Sequence, residues 1–382
     1  MCTVGDYVRQ MPSAATDLAR RQTYGERFHI DLPLLLLLLA LTAFGLIVLY
    51  SASGQSMSAV LRQAQYFAVA YIIMLTAAQF SLQWYRRWTP VLYVLGLATL
   101  LAVLFLGVGA KGAQRWLAIG GFRFQPSEIM KLAVPLMLAW YLASRVLPPR
   151  FVHIVVSLIL LAVPAALVVR QPDLGTALLI ASSGLIVLFM AGISWRFILG
   201  AVFAAILSAW PAWVYLLHDY QRQRILTLLN PESDKLGTGW NIIQSKTAIG
   251  SGGWSGKGWL NGTQSQLDFL PESHTDFIIA VLAEEFGLRG VLLLLSLYLL
   301  IFVRGFWIGM HAQDTYSRLL AAGVTMTFFV YVFVNMGMVS GLLPVVGVPL
   351  PLVSAGGTSI VTLMAGFGLL MAVSTERRLV VQ

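Results

Sequence analysis

Ten blocks of predominantly apolar residues run through the chain, at about 30–50, 63–81, 89–109, 128–147, 151–169, 174–193, 197–217, 277–303, 317–341 and 351–374. A helix of roughly 20 such residues covers the ~30 Å hydrocarbon core of a bilayer. Backbone amides and carbonyls inside lipid must be paired within the segment, so blocks of this kind fold as helices. Charged residues make up only 11% of the chain and the mean hydropathy is +0.79, which excludes a soluble domain. The expected fold is an all-α integral membrane protein with about ten transmembrane helices and one long polar loop, residues 218–276.

The charge pattern orients that array. Residues 1–28 are polar, carry Arg9, Arg20, Arg21 and Arg27, and lack a signal-peptide core, so they read as a cytoplasmic tail. The small residues after the first block, Ser51-Ala-Ser-Gly54, mimic a cleavage site, but the block is too long for one and reads as an uncleaved anchor. Short connections on the N-terminal side hold Arg86, Arg87, Arg145, Arg150, Arg196, Arg304 and Arg318, and the tail 377–382 adds Arg377 and Arg378. The opposite connections hold only Arg62, Lys111, Arg115, Arg123 and Arg170. The positive-inside bias therefore places both termini in the cytoplasm and the 218–276 loop outside, with 29–376 as one polytopic domain. The net charge of +9 is scattered rather than run together, which argues against nucleic acid. A single cysteine, Cys2, excludes an internal disulfide.

Chemistry concentrates where bilayer cannot cover the chain. Asp268, Glu272, His274, Thr275 and Asp276 fall within nine residues at the outer border, just before an apolar helix. Spacing alone leaves Asp276 two roles: capping the helix that follows, or acting as a general base with a pKa tuned by partial burial. Glu284 and Glu285 lie two turns deeper, where at least one should face a polar cavity or a cation. Glu128 and Lys131 share a helix face at i, i+3, either as a structural ion pair or as part of a polar cavity lining. Lys111 and Arg115 precede them in a segment suited to a diphosphate, while Arg170, Asp173, Arg222 and Arg224 read either as charge pairs that tie the outer loops together or as arginines that hold lipid phosphate. In that loop Asn241 to Lys246 reads as an interfacial helix, with Gln244 and Lys246 directed at a headgroup. The run Gly250 to Gly258, with Lys257, is not a nucleotide loop: Ser251 and Gly258 stand where that motif needs Gly and Ser or Thr. Pro164, Pro344, Pro349 and Pro351 predict kinks or re-entrant turns that are buried in protein or line a cavity.

Several of these stretches together resemble the SEDS family of bacterial cell-wall polymerases, and its elongation branch in particular. They are Tyr50-Ser-Ala-Ser53, Lys111-Gly-Ala-Gln-Arg-Trp116, Phe124-Gln-Pro-Ser-Glu128, Gln171-Pro-Asp-Leu-Gly-Thr176, His218-Asp-Tyr-Gln-Arg-Gln-Arg224, Gly262-Thr-Gln-Ser-Gln266, Leu270-Pro-Glu-Ser-His-Thr-Asp276 and Pro344-Val-Val-Gly-Val-Pro-Leu-Pro-Leu352. The resemblance implies a peptidoglycan glycosyltransferase that joins lipid II, a prenyl-diphosphate-linked disaccharide peptide, into β-1,4 glycan at the outer face of the bacterial cytoplasmic membrane. It also implies that Asp276 is the residue needed for polymerisation. Glu128, Lys131 and His274 then belong to the substrate region, and Lys111, Arg115, Arg222, Arg224, Gln244, Lys246 and Lys257 form the pool from which headgroup and diphosphate contacts are drawn. A class B penicillin-binding protein and the rod-shape elongation complex are the implied partners, and a divalent cation, Mg or Mn, is an optional addition. Ala355 departs from the aromatic residue many members carry there. Three rivals stay open: a lipid II flippase, a division-specific polymerase and a non-catalytic scaffold.

Overall fold

A computed structural model describes residues 28–110, 113–119, 122–216, 219–234, 237–266 and 272–376. Residues 1–27, Lys111, His218, Asp268 and 377–382, on which parts of the sequence reading rest, lie outside the described residues. The chain is built from α1 (Leu32–Ala52), α2 (Met57–Gln79), α3 (Leu82–Leu106), three short strands β1 (Val108–Ala110), β2 (Ala113–Ile119) and β3 (Phe122–Phe124), then α4 (Pro126–Ala143), α5 (Phe151–Val169), α6 (Leu174–Met190) and α7 (Trp195–Pro211). After α7 come α8 (Asp219–Leu229), α9 (Thr238–Gly252), α10 (Thr263–Gln266), α11 (Ile278–Met310), α12 (Thr315–Val339) and α13 (Thr358–Thr375).

Among the described residues, seven helices are long and apolar enough to cross a membrane: α1, α2, α3, α5, α11, α12 and α13. Helices α6 and α7 are apolar but have 17 residues each, about 25 Å of rise, and α4 carries Glu128 and Lys131 in its first two turns. Together they give the ten crossings that the apolar blocks predicted. A continuous hydrophobic core runs from Leu34 in α1 to Val373 in α13. Helix α12 passes through the middle of it, with Leu320, Val324, Phe328 and Met338 all buried. Close approach relies on small residues: a Cβ at Gly184 would press on Leu161, Leu138 and Val134. Helix α7 has no buried residue and stands apart from the core, apolar on every side.

Three departures from the apolar pattern shape the end of the bundle remote from residues 28 and 376. Helix α3 stops at Leu106 rather than 109, because the chain enters an antiparallel sheet in the order β1-β2-β3. The expected crossing at 277–303 is instead a 33-residue helix broken at Gly287, whose φ of 64° and ψ of −161° are not helical. The last crossing begins at Thr358, not 351, and residues 342–357 form a proline-rich irregular segment. Its Val348, Leu350, Leu352 and Val353 are buried, as the prolines predicted. Polar backbone at such depth is tolerated because protein rather than lipid surrounds it.

Candidate active site

Asp276 sits half-buried in the turn that enters α11. The N-cap position of that helix is filled by Phe277, which makes no side-chain cap, so Asp276 stands one residue before the position at which the sequence offered it a capping role. Its carboxylate faces the 342–357 segment: a Cβ placed on Gly347, where φ is 78°, would lie 3.5 Å from Asp276 Oδ2. A side chain there would meet both left-handed strain and the carboxylate.

Two anchors fix the backbone around Asp276. The fully buried Asn335, in α12, donates through Nδ2 to the Asp276 carbonyl at 2.8 Å and to the Val348 carbonyl at 2.7 Å. Ser354 Oγ donates to the Thr275 carbonyl and accepts from Leu350 N, while Ala355 N donates to the His274 carbonyl at 2.9 Å. Gln63 of α2 closes the ring, donating to the Ser354 carbonyl and accepting from Gly356 N. The Ala355 contact is made by backbone, so the missing aromatic ring leaves this anchor in place.

The same irregular segment reaches a second polar group. Val346 lies against Gly175 at the start of α6, where an added Cβ would be 2.9 Å from the Val346 carbonyl. Next to Gly175, Asp173 caps α6 through Thr176 N and Thr176 Oγ1, accepts from Gln125 Nε2 at 3.1 Å and lies 3.7 Å from Arg115 Nε. Arg115 also donates to the Pro172 carbonyl. One turn into α4, Lys131 Nζ pairs with Glu128 Oε1 at 2.7 Å, both side chains nearly buried, and the ammonium stands 4.9 Å from the Tyr331 ring centre. Glu128 Oε2 and Ser127 Oγ are buried without a hydrogen-bond partner. Asp276 and Gly175 thus flank the irregular segment directly, and Tyr331, which lies under Lys131, clusters with its Val348.

The remaining sequence candidates are held elsewhere. Lys257 Nζ bonds Glu284 Oε1 at 2.6 Å and Thr263 Oγ1 at 2.8 Å, supplying the cation that the buried glutamate needed. Glu284 further accepts from the backbone of Thr263 and Gln264, and Glu285 accepts from the backbone of Leu260 and Gly262 as well as from Ser51 of α1, so both carboxylates clasp the 253–264 loop to the break in α11. Arg222 donates to the carbonyls of Trp213 and Val214 and approaches Asp219 at 3.5 Å, tidying the end of α7 rather than tying two outer loops together. Arg224 is half-buried on α8. Gln244 and Lys246 lie on α9, with the Lys246 stem across Gly341 and Ser245 Oγ bonded to the Val339 carbonyl at 3.0 Å. His274 is exposed beside Asp276. Sequence reasoning passed over Asn335, Ser354 and Gln63 and read Asp173 only as a loop tie; a lone asparagine within an apolar span was the signal available for the first.

Comparison with known proteins decides the family. Residues 32–379 match the FtsW, RodA and SpoVE cell cycle protein model. The chain belongs to this family. It is 53% identical over 364 residues to the peptidoglycan glycosyltransferase MrdB of Escherichia coli K12, covering 95% of this chain and 98% of the relative. A probable peptidoglycan glycosyltransferase FtsW of Trichlorobacter lovleyi is 39% identical over 367 residues, covering 91% and 94%. Among solved structures, a chain of a peptidoglycan synthase complex that coordinates polymerization and crosslinking superposes with a TM-score of 0.80 at 32% identity, covering 90% of this chain and 97% of that one. The rod shape determining protein RodA of Thermus thermophilus superposes with a TM-score of 0.68 at 29% identity, covering 90% and 96%.

Proposed function

We propose that Asp276 is the general base of a lipid II polymerase whose reaction takes place at the outer face of the membrane. The chain is a peptidoglycan glycosyltransferase, and its higher identity to MrdB than to FtsW relatives puts it on the elongation side of the family. The observation that carries the assignment is the clamp on Asp276: a half-buried carboxylate, its own carbonyl held by Asn335, set against Gly347. A base works when its geometry is fixed before the proton moves.

In the step, the 4-hydroxyl oxygen of the acceptor GlcNAc attacks the anomeric carbon of the lipid-linked donor. The new C–O bond forms as the bond to the lipid diphosphate breaks, and Asp276 takes the hydroxyl proton. A single displacement inverts an α-linked diphosphate to a β-1,4 link, so one base suffices, unlike the carboxylate pair of hydrolases. The leaving diphosphate takes its electron pair to a site of positive charge, for which Arg115, partly exposed beside Asp173, is our candidate. Lys131 adds charge from the buried pair with Glu128. Among the described residues no three His, Cys, Asp or Glu side chains converge, and Mg or Mn stays an optional addition to the reading.

The same reading takes residues 29–376 as one polytopic domain with both termini cytoplasmic. It takes as partner a crosslinking enzyme of the class B penicillin-binding type, in keeping with the synthase complex among the structural relatives. Purified protein in detergent, given lipid II, tests the proposal. Wild type should build polymer and Asp276→Asn should remain folded and build none. Absence of polymer from wild type, with or without the partner, would favour a transporter, and activity in Asp276→Asn would remove the aspartate from the mechanism.

A further inference from the structure

At the opposite end of the bundle lies a polar cleft of about 410 Å³ that the polymerase reaction does not use. Its walls come from the start of α3 (Gln83, Arg86, Arg87), the end of α4 (Trp140) and the start of α12 (Asp314, Tyr316). This is the end that holds residues 28 and 376: Gln79, three residues before α3, donates to the Phe28 carbonyl. Arg86 is half-buried and Arg87 exposed, and neither has a carboxylate within ion-pair distance among the described residues. Both stand in the first turns of α3, where the helix dipole is itself positive and adds to the attraction for an anion. Tyr316 is buried, with its hydroxyl 3.5 Å from Thr89 Oγ1, and Asp314 Oδ1 caps α12 through Ser317 N at 3.0 Å. Glu376 adds a further carboxylate near Tyr316.

We propose that this cleft binds the zwitterionic phosphoethanolamine headgroup of a membrane phospholipid, the phosphodiester on Arg86 and Arg87 and the ammonium on the Asp314 side. The volume suits a headgroup. Two guanidiniums grip a phosphodiester through paired N–H bonds. A carboxylate across the cleft favours a headgroup that carries its own amine over one that is purely anionic. Trp140 and Tyr316 belong to the aromatic type that settles at headgroup depth, and basic pockets between membrane helices are recurrent phospholipid sites. An occupant would join the ends of α3, α4 and α12, two of which carry Lys131 and Asn335 towards the other face.

Native mass spectrometry of the full chain, delipidated and then titrated with mixed micelles of phosphatidylethanolamine, phosphatidylglycerol or phosphatidylcholine, tests this. Wild type should retain the ethanolamine lipid at the lowest concentration, and Arg86→Gln with Arg87→Gln should weaken retention about 30-fold. Asp314→Asn keeps a capping side chain but should erase the preference for ethanolamine over glycerol lipid. If the double variant melts early in lipid-free detergent, Arg87→Gln alone carries the test, with about a fivefold loss expected from an exposed side chain. Unchanged retention by the arginine variants would overturn the proposal, as would equal or tighter retention of phosphatidylglycerol by wild type. Displacement of the lipid by millimolar inorganic phosphate would also overturn it, making the cleft a free-anion site.

Discussion

The two ends of the helix bundle are built on different rules. At the end that holds residues 28 and 376, Asp31, Ser81 and Asp314 cap α1, α3 and α12, while α5 starts at Arg150 without a side-chain cap. A bidentate ion pair ties that end together, with Arg304 Nε 3.0 Å from Asp31 Oδ1 and Nη2 2.7 Å from Oδ2, and the guanidinium lies over Trp307. At the Asp276 end Ser56 and Asp173 cap α2 and α6, but α4, α11 and α13 start without a side-chain cap, at Gln125, Phe277 and Gly357. There the backbone leaves the helix at Gly287 and through 342–357, and buried polar atoms such as Glu128 Oε2, Ser127 Oγ and Asn335 Oδ1 lack partners. Helix starts with free amides attract negative charge. The breaks at Gly287 and through 342–357, rather than the caps, thus set the Asp276 end apart.

That contrast breaks most visibly at Gly287. A Cβ there would collide with the backbone of Trp254, Ser255 and Gly256, in a conformation that L-residues avoid. Gly287→Ala should cost about 3 kcal/mol and abolish polymer synthesis, whereas Gly54→Ala, equally left-handed but open to space, should cost about 1 kcal/mol; thermal melts of both variants decide it. Next in size is Glu284→Ala, which strips an acceptor from Lys257, Thr263 and Gln264 at once. It should lower stability by roughly 2–3 kcal/mol and expose the 253–264 loop to proteolysis.

Asn335→Ala sharpens the comparison further. Loss of two bonds to the Asp276 and Val348 carbonyls should cost about 2 kcal/mol and reduce kcat far more than KM, because the aspartate loses its position rather than the substrate its contacts. A fall in KM-governed binding alone would make the asparagine a mere packing residue. The smallest effect belongs to the other end. Asp31→Asn keeps the cap on α1 and loses the charge facing Arg304, so the melting temperature should drop by an amount worth about 1 kcal/mol while the rate per folded molecule holds.

The same division explains what could be read from the chain. Apolar blocks locate crossings because lipid imposes a length and a composition, so the crossings were legible in number and order, with ends that miss by up to seven residues. The break in α11 was not: Phe286, Gly287 and Leu288 continue the apolar run, and only the loop packed against Gly287 creates the need for φ of 64°. Strands of three residues such as β1 and β3 leave too little pattern to see. In the site, carboxylates and the proline-rich segment announced themselves by type. Asn335, Ser354 and Gln63 did not, since their role is to bind backbone carbonyls and amides brought together from distant parts of the chain.

Everything turns on which side of the membrane the clamped carboxylate faces. In a Cys2→Ser background, Asp276→Cys in sealed, right-side-out vesicles can be challenged with a membrane-impermeant maleimide. The polymerase account predicts rapid modification from outside, slowed by added lipid II. Modification only after the vesicles are opened, through the cytoplasmic face, would contradict it.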